Sequence, residues 1–391
     1  MIIYTYKLKE SRGDRLETKH SMVKQAIQSR ILDGTFLPHQ KISSESELMK
    51  EFGVSRHTVR LALGDLVNKG WLYREQGAGT FCADRQLNEA AQGRNEKNIA
   101  LITTYISDYI FPSIIRGAES VLSEQGYHVT LFSTNNNHDT EREVLERILS
   151  GSFDGVIVEP TKSALSNPNL NYYLSLERQN IPYVMINAYY DELEPLYVAV
   201  DDEKGGFLQT EYLIKQGYRN IAGFFKNDDL QGVKRMKGFL KAHRQYRIPI
   251  EPRNIITYYT EEKQEKPVRE LEALLALNGK ERPDALVCYN DQLALSLMDV
   301  LRSKGLHVPD DLALVGYDNS FLADISEVKL TTVEHPKSDL GKEAARFILE
   351  LVQEKRGSAS QKESKLECLV FEPELYIRSS VKTEAPEALK Q

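Results

Sequence analysis

From Asn98 onward the chain alternates short apolar segments with amphipathic segments of helical period, and this alternation limits the possible folds. The apolar segments predict strands at 99–103, 129–133, 155–159, 183–187, 221–225, 285–289 and 312–317. Helices are predicted between them, and the first runs from about 112 to 125. Because nearly continuous apolar strands are buried on both faces, the pattern predicts parallel sheets covered by helices.

The alternating region is longer than one sheet needs, so the sequence predicts two doubly wound lobes with a cleft between them. Ligands of such folds bind beyond the carboxyl ends of the strands. The chain places polar and aromatic residues there: Tyr109, Phe111, Asn135, Asn136, Asn137, Glu159, Asn187, Asp201, Asp202, Asn290, Asp291, Tyr317 and Asp318. Aromatic faces stack on sugars, and Asn and Asp side chains exchange hydrogen bonds with vicinal hydroxyls. The set indicates a small polyhydroxylated ligand, although any single Asn or Asp is also a common helix cap.

The nine-residue stretch Phe-Gly-Val-Ser-Arg-His-Thr-Val-Arg near the N-terminus predicts a helix-turn-helix. Gly53 ends one helix, and Ser55 caps the next. Arg56 and Arg60 then project from the start of the second helix. An arginine fork can bind a guanine edge or a phosphate. A solvated surface helix with two exposed arginines is the alternative interpretation of these nine residues alone.

The flanking sequence supplies further elements of the same kind. Ser44 and Glu47 have the spacing of a capping box. An amphipathic stripe predicts an earlier helix from Met22, Val23, Ala26, Ile27 and Ile31. After Gly70, residues 71–74 and 76–81 predict a hairpin with a glycine-rich tip. Such a tip lets backbone amides approach DNA closely, whereas a plain surface turn is the alternative.

Residues 19–82 resemble the winged-helix domain of the gluconate-repressor (GntR) family. The matching segments are 41–45, 52–56, 58–60, 63–66 and 77–81. The family often has Pro before its Ser-Glu pair and Arg after it, where this chain has Ser43 and Ser46. The resemblance implies contacts with double-stranded DNA from Glu45, Ser46, Ser55, Arg56, His57, Thr58 and Arg60, and from Gln76, Gly77, Gly79 and Thr80 of the hairpin.

Charge is distributed unevenly along the chain. The net charge is −7, yet residues 1–85 carry 14 basic and 10 acidic side chains. Residues 1–85 are therefore net positive and the rest of the chain is net negative, and DNA attracts only a positive charge. We therefore predict a disordered or atypical extension at 1–18, a DNA-binding domain at 19–83, a polar linker at 84–97, an effector-binding and dimerisation domain at 98–380 and a flexible tail at 381–391.

Several classes of protein are excluded by what the sequence lacks. Cys82, Cys288 and Cys368 have no metal-ligand spacing, so we expect no metal or cofactor. There is no membrane-length apolar run and no signal-peptide core, so we expect a cytoplasmic protein without membrane contact rather than an exported sugar carrier. Signatures of hydrolases, zinc proteases and P-loop enzymes are also missing, so an enzyme is not expected.

Residues 98–380 resemble the effector domain of the lactose/galactose repressor family, which is similar to periplasmic sugar-binding proteins. The match is carried by segments 235–239, 289–291, 308–312, 315–318 and 330–333. It implies that Arg235, Asn290 and Asp318 bind sugar hydroxyls. It also implies that Tyr109, Asn187 and His335 line the same cleft.

The pairing of these two parts resembles the arabinose-responsive repressors of Gram-positive bacteria, and segments 103–117, 158–165 and 231–236 carry the similarity. This resemblance implies L-arabinose as the effector, which would release a homodimer from a palindromic operator of sugar-use genes. Chemistry alone indicates only a small sugar. A ligand that promotes DNA binding is the remaining alternative.

Overall fold

The computed structural model describes residues 18–84, 97–107, 109–355 and 366–382. The chain divides into two compact units, with the main boundary after residue 95. Most of the predicted segments 1–18, 84–97 and 381–391 lies outside the described residues. Each unit is described by itself.

The first unit is a winged helix. Its elements are α1 Lys19–Leu32, α2 Glu45–Phe52, α3 Arg56–Asn68, β1 Leu72–Glu75 and β2 Gly79–Cys82. The predicted capping box is confirmed, because Glu47 N donates to Ser44 Oγ at 3.3 Å and Ser44 N donates to Glu47 Oε2 at 2.7 Å. Gly53 ends α2 with a φ of 61°, and Thr58 N donates to Ser55 Oγ at 3.2 Å. Local sequence therefore sets the turn that directs α3.

A small apolar core holds these helices together. Val23, Ile27 and Ile31 are buried at helical spacing on α1, whereas Met22 of the predicted stripe is 39% exposed. The other buried members include Leu48, Val59, Leu63, Leu66, Trp71 and Leu72. Strands β1 and β2 pair antiparallel, and residue 41 forms an isolated bridge to residue 81.

The second unit consists of two lobes, each built on a sheet of six strands within the described residues. In lobe I the order is β13-β7-β6-β5-β3-β4, formed by β3 Asn98–Thr103, β4 His128–Ser133, β5 Gly155–Val158, β6 Tyr183–Ile186, β7 Tyr197–Val200 and β13 Leu369–Phe371. In lobe II the order is β14-β12-β11-β10-β8-β9, formed by β8 Ile221–Lys226, β9 Ile255–Tyr258, β10 Ala285–Cys288, β11 Ala313–Asp318, β12 Thr331–Glu334 and β14 Leu375–Tyr376. Every pairing is parallel except that of β12 with β14.

Helices cover both sheets. Lobe I has α4 Phe111–Glu124, α5 His138–Ser150, α6 Leu170–Arg178 and α12 Lys337–Lys355, and lobe II has α7 Asp202–Lys215, α8 Leu230–Gln245, α9 Lys266–Leu275, α10 Asp291–Ser303 and α11 Phe321–Ile325. The chain crosses between the lobes after β7, after β12 and after β13. None of the described helices is long and apolar enough to cross a membrane.

Glycines let the crossing helices of lobe I approach closely. A Cβ on Gly117 of α4 would lie 2.1 Å from the backbone oxygen of Ser338 on α12. A Cβ on Gly341 of α12 would lie 2.1 Å from the backbone oxygen of Ile114 on α4. Both distances are far inside van der Waals contact, so the two helix backbones meet only because these residues lack side chains. Lobe II repeats the arrangement between α7 and α8.

We predict that Gly341→Ala lowers the free energy of unfolding of the second unit by about 1–3 kcal/mol, because the added methyl forces α4 and α12 apart. Urea denaturation followed by circular dichroism measures the change. The matched control is Gly64→Ala on α3, where the new Cβ meets open space. That change should stabilise the first unit by about 0.5–1 kcal/mol, since alanine is the better helix former. Equal effects of the two substitutions would contradict the close-approach argument.

Candidate functional site

The start of α3 presents two exposed arginines beside one carboxylate. The side chains of Arg56 and Arg60 are 62% and 66% exposed. Arg60 Nε donates to Glu45 Oε1 at 3.2 Å, and Arg56 Nε lies 4.0 Å from Glu45 Oε2. Glu45 therefore orients both side chains on the same face, one helical turn apart. This geometry suits a helix that inserts into the major groove.

The other predicted DNA-contacting residues surround this face or form the wing. On α2 and α3 and at their junction, Ser46, Ser55 and His57 are exposed and Thr58 is half-buried. On the hairpin, Gln76, Gly77 and Gly79 are exposed and Thr80 is half-buried. Gly79 has a φ of 131°, and a Cβ there would lie 2.7 Å from Lys41 Cε. Lys41 is exposed against the wing tip. The sequence alone does not predict this position of Lys41, because it depends on strand pairing between residues far apart in sequence.

In the second unit, a cavity of about 660 Å³ lies between the two lobes. Six of the predicted ligand-binding residues line it: Tyr109, Phe111, Glu159, Arg235, Asn290 and Asp318. The structure brings these together from both lobes. Asn187 and His335 are not among the lining residues and lie behind the cavity wall, as described below.

Arg235 is the most constrained side chain of the cavity, with 1% of its surface exposed. Its Nε donates to Asp202 Oδ1 at 2.8 Å, and its Nη2 lies 3.6 Å from Asp318 Oδ1. Its guanidinium carbon is 3.5 Å from the ring centre of Tyr317. Burial alone would lower the pKa of Arg235, but the two carboxylates outweigh it and raise the pKa well above its usual value. The guanidinium therefore stays charged and fixed.

Backbone conformation at the strand ends is unusual. Asp318 has a φ of 94°, and left-handed values also occur at Tyr109, Asn135, Asn136, Lys162, Asn187 and Asn319. Such conformations are costly for residues other than glycine and concentrate at functional sites. Their recurrence around one cleft supports a binding site there.

Glu159 connects the cavity wall to a crossover between the lobes. Its Oε2 accepts hydrogen bonds from Thr104 N at 2.9 Å and from Thr104 Oγ1 at 2.6 Å. Its Oε1 accepts from Asn187 Nδ2 at 2.9 Å, and Asn187 Oδ1 lies 3.0 Å from His335 Nε2. Burial raises the pKa of Glu159 and lowers the pKa of His335 well below its usual value. A neutral His335 donating to Asn187 fits this chain of hydrogen bonds.

A second group of charged and aromatic residues was missed by the sequence analysis. Lys226 Nζ lies 3.0 Å from Asp229 Oδ2 and 3.6 Å from Asp228 Oδ1. Tyr289 OH donates to Asp229 Oδ2 at 2.7 Å. Burial lowers the pKa of Lys226, yet both aspartates raise it beyond its ordinary value, so the ammonium stays charged. The polar run after β8 was the available signal for this group.

Tyr109 joins the lobes directly. Its hydroxyl donates to Tyr317 O at 3.1 Å and accepts from Asp291 N at 3.1 Å. Both partners belong to lobe II, while Tyr109 follows the first strand of lobe I. Burial raises the pKa of the Tyr109 phenol well above its usual value, so the hydroxyl keeps its proton and remains a donor.

Comparisons with known proteins agree with this architecture. Residues 19–82 match the family model for bacterial regulatory proteins of the gntR family, and residues 210–381 match that for a periplasmic binding protein-like domain. A regulator from Lactococcus lactis, CcpA, shares the fold of the larger part, with a TM-score of 0.64 at 24% identity over 74% of this chain and 100% of that one. The chain is thus a transcription regulator with a winged-helix head and a periplasmic-binding-protein-like effector unit.

Two relatives define the family more closely. A protein of Halalkalibacterium halodurans named "Arabinose metabolism transcriptional repressor" is 58% identical over 366 residues, covering 93% of this chain and 97% of that protein. One of Geobacillus stearothermophilus with the same name is 47% identical over 364 residues, covering 93% and 98%. The chain belongs to the family of arabinose metabolism transcriptional repressors, which are DNA-binding regulators and not enzymes.

We predict that Arg56→Ala or Arg60→Ala weakens specific operator binding by about 1–3 kcal/mol for each half-site contact, because each removes one fork from the recognition face. Fluorescence anisotropy at matched salt measures the loss. Lys69→Ala removes the same charge from the opposite end of α3 and should change affinity by less than about 0.5 kcal/mol. If all three variants bound alike, α3 would not be the helix that reads the operator.

Proposed function

We propose that this repressor binds a palindromic operator as a homodimer and is released by L-arabinose, so that it controls arabinose utilisation genes from the cytoplasm. The DNA contacts are assigned to the residues of α2, α3 and the wing named above, within a domain at 19–83. The sugar site is assigned to the cavity of the domain at 98–380. The observation that carries the proposal is a cavity between two lobes, lined by aromatic and hydrogen-bonding groups, in a chain whose relatives bear an arabinose name.

The carboxylate partners of Arg235 and Lys226 favour a neutral ligand; the third lining cation, Lys263, is exposed and lies over the Tyr105 ring. Arg235 and Lys226 each have two carboxylate neighbours, so neither is left to pair with a phosphate or carboxylate group. An anionic ligand would have to displace these partners and leave buried carboxylates uncompensated, which is costly. A pentose instead offers hydroxyls to Glu159, Asn290 and Asp318. The aromatic residues of the wall can stack on its C–H face.

A sugar enclosed between two lobes binds one inter-lobe angle better than another. It can shift the equilibrium only by that difference in affinity. The half-sites of an operator lie about 34 Å apart. If the two inter-lobe angles place the DNA-binding units of a dimer at different separations, the dimer can contact both half-sites at only one of these angles. This argument couples sugar binding to operator binding, and the titration proposed below distinguishes release by the sugar from a ligand that promotes DNA binding.

An exposed apolar patch on lobe II supports the dimer. Phe321 and Ile325 of α11 are 76% and 58% exposed, and Ile377 beyond β14 is 57% exposed. Arg378 connects the two segments, since its Nε lies 3.8 Å from Asp324 Oδ1. Clustered exposed apolar side chains mark interaction surfaces. A second copy of this chain is the occupant we propose, because a palindromic operator is met by a twofold-symmetric pair of heads.

We predict that the double substitution Phe321→Glu with Ile325→Glu yields a monomer in light scattering, because charges in the patch would repel across the twofold axis. Operator affinity should fall about 100-fold, since the second head no longer binds at high effective concentration. The control is Leu131→Glu at another exposed apolar position, which is 39% exposed. It should leave the dimer intact. A dimer of undiminished affinity in the double variant would place the interface elsewhere.

We predict that saturating L-arabinose lowers operator affinity by about 1–3 kcal/mol, or roughly 5- to 150-fold. Gel-shift titrations with and without the sugar measure this coupling. D-arabinose should act weakly, because its hydroxyls cannot all meet the same fixed partners. Asp318→Asn should keep operator binding and lose the response, since the neutral amide no longer offers a carboxylate to the hydroxyls or balances Arg235. Unchanged or tighter operator binding with L-arabinose would overturn the inducer assignment.

A further inference from the structure

A short loop after β5 reaches across the cleft beside the cavity, where Ser163 lines the wall and Lys162 does not. This clasp loop comprises residues 161–164. Lys162 Nζ lies 2.6 Å from Glu261 Oε1 of lobe II, and Leu230 N donates to Ser163 Oγ at 2.9 Å. Ala164 N donates to the backbone oxygen of residue 228 at 3.4 Å. Three consecutive residues of lobe I therefore hold three separate points of lobe II.

Asn136, in the loop after β4, strengthens the same contact. Its Oδ1 accepts from Lys162 N at 2.8 Å, and its Nδ2 donates to Thr260 Oγ1 at 2.7 Å. Its Nδ2 also lies 3.4 Å from Asp228 Oδ2. Asn136 thus fixes the backbone of the clasp loop and contacts lobe II with the same amide group.

The clasp loop is held firmly on its own lobe. Thr161 Oγ1 donates to Thr134 Oγ1 at 3.1 Å, and Tyr190 OH lies 2.9 Å from both Thr161 O and Glu141 Oε1. The buried carboxylate of Glu141 also accepts from Asn169 Nδ2 at 2.8 Å. Because this network lies wholly in lobe I, the loop needs little ordering when it meets lobe II. Preorganised contacts of this kind lose less conformational entropy on forming.

The clasp loop also supplies a hydrogen-bond acceptor to the first residue of α8. Leu230 is the first residue of that helix, so its amide has no intrahelical partner and is bound instead by Ser163 of the other lobe. Asp229 caps the same turn by accepting from Gly232 N at 2.7 Å. Arg235 projects from the next turn into the cavity wall. The helix that carries Arg235 therefore begins at a contact between the two lobes.

Lys162 and Glu261 do not line the cavity, and the side chain of Glu261 is 64% exposed. We propose that these two are positioning residues of the sugar response. Their ion pair stabilises the closed arrangement, in which the clasp loop of lobe I contacts lobe II. It thereby raises sugar affinity although neither side chain contacts the sugar. This inference rests on the proposed sugar-binding function. The apparent affinity of a ligand scales with the populated fraction of the binding-competent state, so weakening the pair weakens binding.

The test is charge reversal in full-length protein, with L-arabinose binding measured by calorimetry. Lys162→Glu and Glu261→Lys should each weaken affinity about three- to tenfold, because each replaces an attraction across the cleft by a repulsion. The double reversal should restore affinity to within about twofold of wild type. A residue that mattered only for local structure would show no such rescue.

The matched control is an ion pair of similar length within one lobe. Lys304 Nζ lies 2.9 Å from Glu272 Oε1, and both residues belong to lobe II. The same reversals at this pair should leave sugar affinity unchanged. Equal losses at the two pairs would show that any lost surface ion pair weakens binding, and the clasp assignment would fall.

A second measurement separates failure of the clasp from failure of the sugar assignment. Spin labels at Arg142→Cys of lobe I and Arg302→Cys of lobe II, with Cys368→Ser, report the inter-lobe distance. Single reversals at the clasp should change this distance and the double reversal should restore it, without any sugar present. If wild type bound no L-arabinose while this pattern appeared, the effector assignment would be wrong and the clasp would stand. If wild type bound the sugar while single reversals changed neither readout, the clasp would be wrong.

Discussion

The buried guanidinium of Arg235 is the interaction on which the effector unit depends. A charge removed from water is tolerated only with close partners of opposite sign. Asp202 and Asp318 supply them at 2.8 and 3.6 Å, and Tyr317 covers the guanidinium face. Asp202 begins α7 directly after the first crossover, whereas Asp318 ends β11. The two ion pairs of Arg235 therefore join the end of β11, at the cavity wall, to a segment that connects the lobes.

The second crossover, after β12, also contacts the end of β11. Lys337 Nζ donates to Asp318 O at 2.5 Å, to Asn319 O at 3.2 Å and to His335 O at 2.9 Å. His335 in turn contacts Asn187 behind Glu159. The groups that would meet a sugar and the segments where the lobe angle changes thus form one continuous network. Such continuity gives a ligand a physical means to bias the angle between the lobes.

The sequence predicted what local chemistry determines. Apolar runs identified the central strands, and Ser44, Gly53 and Ser55 marked the helix ends of the head, because caps and turns act within a few residues. Strands 197–200, 255–258, 331–334, 369–371 and 375–376 were not predicted from periodicity, since two to four residues at or near a sheet edge carry little of it. Lys226 was missed although its two carboxylate partners, Asp228 and Asp229, follow it directly in the polar run after β8. The clasp loop was missed because its partners lie in the other lobe, and only tertiary structure brings them together.

The contacts across the cleft set a scale for the sugar response. Tyr109 and the clasp loop hold the two lobes together by contacts between protein groups. Single exposed ion pairs or neutral hydrogen bonds each contribute about 0.2–1.5 kcal/mol. A few such contacts are comparable with a coupling of about 1–3 kcal/mol between sugar and operator. The closed arrangement cannot be much more stable than the open one, or the sugar would have nothing to shift. Linkage is also reciprocal: under the proposed function, operator DNA would weaken sugar binding by the same factor by which the sugar weakens operator binding. Under the proposed function, residues that touch neither sugar nor DNA would therefore change the sugar concentration at which repression ends, while the cavity wall would determine which sugar binds.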